Sequence, residues 1–347
     1  MKHLRLLLTA ALTLMGLSGG GLEAQDKATV SELITAGRKE GVVEFYGPST
    51  LTPQGAQALG AAFNKKYGLS VTLNFSPAGS MYRDISKIIT SNATGVPVEW
   101  DLVVMTDAHY GALALKKQLQ KFDYRKLGVA PELVHHDSTA VSFANQYVLP
   151  AYNTKLVSPK DLPKSWEDLA DPKWKGGKLG VSSAIHHFAR LTLGAWGEEK
   201  GAKFVRALAE QKPNIGLPGE IHARLEIGEV LILVNQINEF VYRAKVAGAP
   251  MAFAEGIEPV IAPALYGGVP RGAKHPNAGF LFAAFLATPE AQEVWEKHTG
   301  LSSAFVPGTT MNKFARGKKM LYLRDDQAEA MDRLSAEYNK MMGITAR

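Results

Sequence analysis

Short apolar strands alternate with amphipathic helices along most of this chain, and that order constrains its fold more than any other feature. "GVVEFYG" (41–47) reads as a strand, followed by a helix through "PQGAQALGAAFNKKYG" that stops at Gly68. "SVTLNFS" (70–76) alternates apolar and polar residues, and "GSMYRDISKIITSNATG" reads as a helix opened by Ser80. "WDLVVMTD" (100–107) is a third strand, with a helix in "AHYGALALKKQ". This βαβαβ order predicts a parallel sheet with helices on both faces. A second block repeats it: the strand "KLGVSS" (178–183) runs into the helix "AIHHFARLTLGAWGEEKG", and "LILVNQ" leads into the helix "NEFVYRAKVAGAP". "HPNAGFLFAAFLATPEAQEVWEKHTG" predicts a helix pair broken at Thr288-Pro289, and polar helices close the chain.

The strands end in an unusual way. In "LILVNQINEFVYR" (231–243) four aliphatic residues pass without a turn into Asn235, Gln236, Asn238 and Glu239. Ligands of open α/β sheets sit outside the carboxyl ends of parallel strands. "YGPST", "SPAGS", "MTDAH" and "GVSSA" are further polar clusters at such ends. Polar strand ends from two sheets predict a cleft between two lobes.

Composition narrows the class. Lys2 and Arg5, the apolar run "LLLTAALTLMGL" and the small-residue stretch ending at Ala24 read as an export segment over 1–24. The run is shorter than the ~20 residues that span a bilayer. The chain has no cysteine, which excludes disulfides and a lipid anchor on cysteine. A mature chain of about 320 residues buries a sufficient core without staples and suits two domains. The net charge of +6 is scattered rather than clustered, which argues against a nucleic-acid partner. These features point to the bacterial periplasm.

At 152–180 the chain reads "YNTKLVSPKDLPKSWEDLADPKWKGGKLG". With "GEV" (228–230), "AGAP" (247–250) and "KHPNAGFLFAAFLATPEAQ" (274–292), it resembles the solute-binding proteins of bacterial ABC importers, in the branch that includes the ferric-iron-binding proteins. On their own physics these segments are scaffold: Ser165 and Asp168 form a helix start while Trp166 and Leu169 face inward. The resemblance implies a type II periplasmic-binding-protein fold, two α/β lobes joined by a hinge with an interlobe cleft. It assigns 25–150 plus 261–305 to lobe 1, and 151–260 plus 306–347 to lobe 2 and the C-terminal helices. "VLPAYNT" is then the first crossing and "GIEPVIAP" the return. It further implies a monomer that delivers a small molecule to a permease and ATPase complex, with no cofactor and no bond-making chemistry.

The candidate ligand-binding residues follow from the strand ends and the resemblance. Ser182 and Ser183 precede a helix expected to begin near Ala184, where backbone N–H groups suit an anion; simple capping uses the same residue types. The family uses this loop for an anion. Ser49 and Thr50 follow the first strand and Ser80 the second, again as donors or as caps. Asp107 ends the third strand, either facing the ligand or capping its helix. Tyr152 lies on the expected hinge. Asn235, Gln236 and Glu239 complete the set.

The ferric proteins of this branch hold their metal with two adjacent tyrosines. Here the aligned stretch is "NQINEFVYR": Glu239-Phe240 takes that place, with a lone Tyr242 beyond it. An organic or phosphorus-containing anion therefore fits the donor set better than ferric iron, and no metal ligand is assigned. His135-His136 and His186-His187 are adjacent pairs, but neighbours on a helix point about 100° apart and do not readily share one ion. The pattern places His187 toward the cleft and His186 toward the surface. No nucleophile, base and orienter combine into an enzyme motif. A ferric iron-binding protein of the same importer class is the alternative reading, and a sensory ligand-binding module and a periplasmic enzyme are the competing classes.

Overall fold

The computed structural model describes residues 19–344, with side chains from residue 30. Of the export segment expected at 1–24, residues 1–18 lie outside the described residues. The first block runs α1 (Gly19–Glu40), β1 (Val42–Gly47), α2 (Thr52–Tyr67), β2 (Thr72–Pro77), α3 (Met81–Thr94), β3 (Leu102–Thr106) and α4 (Asp107–Leu115). Gly68 ends α2 at φ 61°, a left-handed conformation that costs glycine little, and its N–H returns to Asn64 O. After β4 (Val134–His135) and β5 (Ala140–Asn145) the chain enters a second block with β6 (Val148–Asn153), β7 (Leu179–Ser182), α5 (His186–Leu191) and α6 (Gly197–Glu210). It continues through β8 (Asn214–Gly216), α7 (Pro218–Glu226), β9 (Ile232–Ile237), α8 (Asn238–Val246), β10 (Met251–Phe253) and β11 (Val260–Ile261). β12 (Ala264–Gly268), α9 (Pro276–Leu286) and α10 (Pro289–Thr299) return to the first block. Finally α11 (Thr310–Ala315), β13 (Met320–Leu321) and α12 (Ala328–Met341) close the chain.

The helix expected across 184–201 is interrupted. A wider turn at Thr192–Trp196 separates α5 from α6, and Gly197 there has φ 76°. Gly197 supplies the backbone freedom for that break.

Two sheets result. The first has strand order β2-β1-β3-β12-β5-β4, the second β13-β11-β6-β9-β7-β8 with β10 beside β6. β1 is parallel to both β2 and β3, and β7 to both β8 and β9. The chain leaves the first sheet after Asn145 and enters the second at Val148. It returns between Ile261 and Ala264, and the two crossings are tied by Gln146 N donating to Pro263 O at 2.8 Å. This is the mixed α/β, two-lobe architecture of the type II periplasmic-binding-protein fold.

Strand alternation explains the cores. In β1 and β3, Phe45, Leu102 and Val104 pack on one face of the sheet, and Tyr46, Val103 and Met105 on the other. α9 is apolar all round and buried from Ala278 to Leu286, each Phe or Leu contributing roughly 1.5–3 kcal/mol. In the second lobe Trp166 and Leu169 are fully buried, and the Trp166 indole donates to Pro259 O at 2.9 Å. Ser165 and Asp168 cap each other's backbone, as the sequence predicts.

Candidate functional site

Parallel strands on each side of the crossings deliver their carboxyl ends to one place. β1, β2 and β3 end at Gly47, Pro77 and Thr106; β7, β8 and β9 end at Ser182, Gly216 and Ile237. The residues that follow line a cavity of about 480 Å³ between the lobes, a volume suited to an organic molecule. Ser49, Thr50 and Ser80 face it from the first lobe, and Ser182, Ser183, Asn235, Gln236 and Glu239 from the second.

The polar stretch after β9 wires this cavity together. Asn235 Oδ1 accepts from Ser182 N at 2.8 Å, and its amide donates to the carbonyls of Ser182 and Ala184. The loop after β7 is thereby pinned to β9. Gln236 pairs with His222 Nδ1 at 2.9 Å and accepts from Ile237 N. Asn238 Oδ1 accepts from Tyr147 N at 3.0 Å, fixing the first crossing. Glu239 reaches across the lobes: Thr50 Oγ1 donates to Oε1 at 2.7 Å, and Gln146 Nε2 donates to Oε2 at 2.5 Å. It is only 1% exposed, and burial pushes its carboxyl up to about 7 against those two hydrogen bonds.

Two of the sequence-derived residues lie elsewhere. Asp107 is buried and paired with Arg190, and also accepts from Ala108 N at 2.8 Å and Ala264 N at 3.1 Å. Asp107 is the first helical residue of α4, with Thr106 at the cap position, and its side chain serves an ion pair from the opposite lobe and two backbone N–H groups, so no oxygen is left for a ligand. Tyr152 packs in the core of the second lobe. β6 is antiparallel to β9, with Val148 opposite Ile237 and Tyr152 opposite Ile232. Tyr152 therefore sits at the amino end of β9, away from the cavity.

His186 also departs from expectation. It is 4% exposed rather than on the surface, because α12 covers α5, and it lines the cavity beside His187. Burial holds both rings well below the ordinary imidazole value, and pushes His109 down to about 3. The adjacent pair His135-His136 instead holds Asp325, ahead of α12.

The reading of the sequence missed Gln146, His109 and the Leu217–Glu220 turn, all of which line the cavity. The strand-end rule locates that turn once "NIG" is recognised as a strand and Pro218 as a first helical residue.

The electrostatics are set by helix starts rather than side-chain cations. Among the described residues no Lys or Arg lines the cavity, and the helices after the six strand ends begin there. The starts of α4, α7 and α8 are already matched by Asp107, Glu220 and Glu239. The turn and helix after β1 and the helix after β7 carry no acid in their first turns. In α3, Asp84 is turned to Tyr46 Oη at 2.8 Å. At these three starts the hydroxyls of Ser49, Ser80 and Ser183 make no hydrogen bond among the described residues, and Ser80 sits at the cap position of α3 without capping it.

A sequence profile of the bacterial extracellular solute-binding proteins matches residues 58–310. No curated protein is significantly similar to the chain in sequence. Among solved structures it is similar to iron-bound HitA from Pseudomonas aeruginosa, at 19% identity over 86% of this chain and 99% of that one, with TM-score 0.67. It is also similar to Trichodesmium IdiA (FutA) in complex with iron and citrate, at 20% identity over 87% and 98%, TM-score 0.65. AgtB from A. tumefaciens R10 in complex with agropinic acid is similar at 16% identity over 87% and 99%, TM-score 0.66. No helix among the described residues is long and apolar enough to cross a membrane.

Proposed function

Since the chain belongs to the bacterial extracellular solute-binding proteins, we propose that it is the periplasmic subunit of an ABC importer that captures an organic or phosphorus-containing anion by closing its two lobes. One observation carries the choice of an anion. Three helix starts whose serine hydroxyls make no hydrogen bond among the described residues face the cavity, while the other three starts each carry an acid of their own in the first turn. The closed form would then be recognised by the permease and its ATPase, so the ligand is trapped rather than transformed.

The donor set favours this over ferric iron. Tyr242 is 39% exposed and its ring packs over Gly300, away from the cavity. Tyr82 is the one phenol among the lining residues, and the Glu239 oxygens already accept from Thr50 and Gln146. A bare ion would also leave most of the 480 Å³ unfilled.

A thermal-shift screen of phosphate esters, organic acids and ferric citrate tests the proposal. The expected result is stabilisation by at least one organic anion, weakened about tenfold or more in affinity by Ser183→Ala with little change in the melting temperature of the unliganded protein. Stabilisation by ferric ion, with a visible phenolate charge-transfer band and no response to any iron-free anion, would overturn it.

A further inference from the structure

The flanks of the cavity are built differently from its polar strand ends. In the first lobe the chain runs outward from β1 to β2 and back to β3. That puts α2 on one face of the sheet and α3 on the other, and the two helices join separate cores. In the second lobe it runs outward from β7 to β8 and back to β9, so right-handed crossovers place α5 and α7 on opposite faces as well. On one flank the start of α3 meets α5, where the Tyr82 ring lies 6.1 Å from that of His186. On the other, Thr50 ahead of α2 donates to Glu239 of α8, and Phe240 packs beside α7 with its ring 4.9 Å from that of His222.

Each flank presents a large apolar surface that the fold leaves open. Tyr82 is 43% exposed, and Leu217, the residue ahead of α7, is 61% exposed. Both line the cavity, with Met81, Pro218 and Phe240 half-buried beside them. The hydroxyl end of Tyr82 is buried toward Ser335 of α12, which pushes it up to about 12, so what this residue opens to the cavity is ring carbon. The lobes already touch on both flanks, so these surfaces are not waiting for the opposite lobe to cover them. Charge sorts the cavity in the same way. Glu220, in the first turn of α7, lines it beside Leu217 while its partner Arg224 does not, which disfavours an anionic group on that flank.

We propose that Tyr82 on one flank and Leu217 with Phe240 on the other form an apolar clamp, so that the ligand is an anion whose body is an aromatic ring. This rests on the anion reading above: the charged end sits at Ser49, Ser80 and Ser183, and the ring lies between the flanks. Tyr82 stands two residues beyond Ser80 in the first turn of α3, so one element serves both ends of the ligand. An aromatic ring suits the clamp because it stacks or packs edge-on against Tyr82 and Phe240 and is covered by Leu217. The 480 Å³ of the cavity accommodates a ring with its charged group.

Matched probes on the full exported protein test this by calorimetric titration. Inorganic phosphate, glycerol 3-phosphate and phenyl phosphate form one series, and acetate, gluconate and benzoate a second. At least one ring-bearing probe is expected to bind about tenfold or more tightly than both other members of its series. Leu217→Ser, at an exposed position outside the cores, should cut that ratio about threefold or more. Tyr82→Ala should cut it from the opposite flank, and the comparison in the unaltered protein needs neither variant. Ring-bearing probes that bind no more tightly than their partners, or a preference that survives both substitutions, would overturn the clamp and leave the anion reading standing. If no anion of either series binds, the anion reading itself fails and the clamp falls with it.

Discussion

Asp107 and Glu239 are two carboxylates in closely similar places with opposite environments. Each stands in the first turn of a helix that follows a parallel strand, each is buried, and each reaches the opposite lobe. Asp107 meets the guanidinium of Arg190 and two backbone N–H groups. Glu239 meets a hydroxyl and an amide, with no cation in contact among the described residues. The partner decides what a buried acid can do. Asp107 is an ion-paired bolt between the lobes, whereas Glu239 is a contact that can gain or lose its proton near neutral pH.

The largest effect should come from breaking the bolt. Arg190→Met leaves the Asp107 charge buried and unpaired, and is expected to cost about 3–5 kcal/mol in urea unfolding. The double variant with Asp107→Leu should recover much of that loss; a single variant costing under about 1 kcal/mol would show that the pair is not formed.

The Glu239 contact should instead show itself through pH. The folded carboxyl holds its proton up to about 7, while the unfolded chain releases it near the usual 4.5. Between those values the folded state carries more protons, so the stability from this group is greatest below 4.5 and falls as pH rises through 7. The difference between the parent protein and Glu239→Gln should change by at most about 3 kcal/mol across that window. The buried histidines act in the other direction, since their depressed values make the fold lose stability as pH falls below 6.5. Comparison with Glu239→Gln subtracts that contribution. A difference that is flat from pH 4.5 to 7 would mean that Glu239 is solvated.

A smaller consequence concerns ligand affinity. An anion beside Glu239 favours the protonated acid, so binding of any anion found in the screen should be several-fold tighter at pH 6 than at pH 8. In Glu239→Gln the dependence should vanish, leaving only that of the anion itself. Thr50→Ala should have the smallest effect, about 1 kcal/mol on stability, because it removes one hydrogen bond and leaves Gln146 in place.

Much of the architecture was legible in the chain because its signals are local. The alternation of strand and helix, the stop at Gly68 and the break at Thr288-Pro289 each depend on a few neighbouring residues. The strand-end rule was also local, and it places Ser49, Ser80, Ser183 and Glu239 around one cavity. The exceptions involve partners distant in sequence. Nothing near Asp107 announces Arg190, and nothing near Glu239 announces Thr50 or Gln146. His186 looked exposed because α12, which covers it, comes from the far end of the chain. Tyr152 was misplaced by direction alone: β6 carries it away from the crossing.

Native mass spectrometry of the exported protein, purified without added ligand exchange, tests the central claim most directly. The expected spectrum shows one organic anion per chain, with the adduct lost when Ser49, Ser80 and Ser183 are replaced together by alanine. An adduct consisting of iron alone, or an organic adduct that survives those replacements, would contradict the assignment of the cavity.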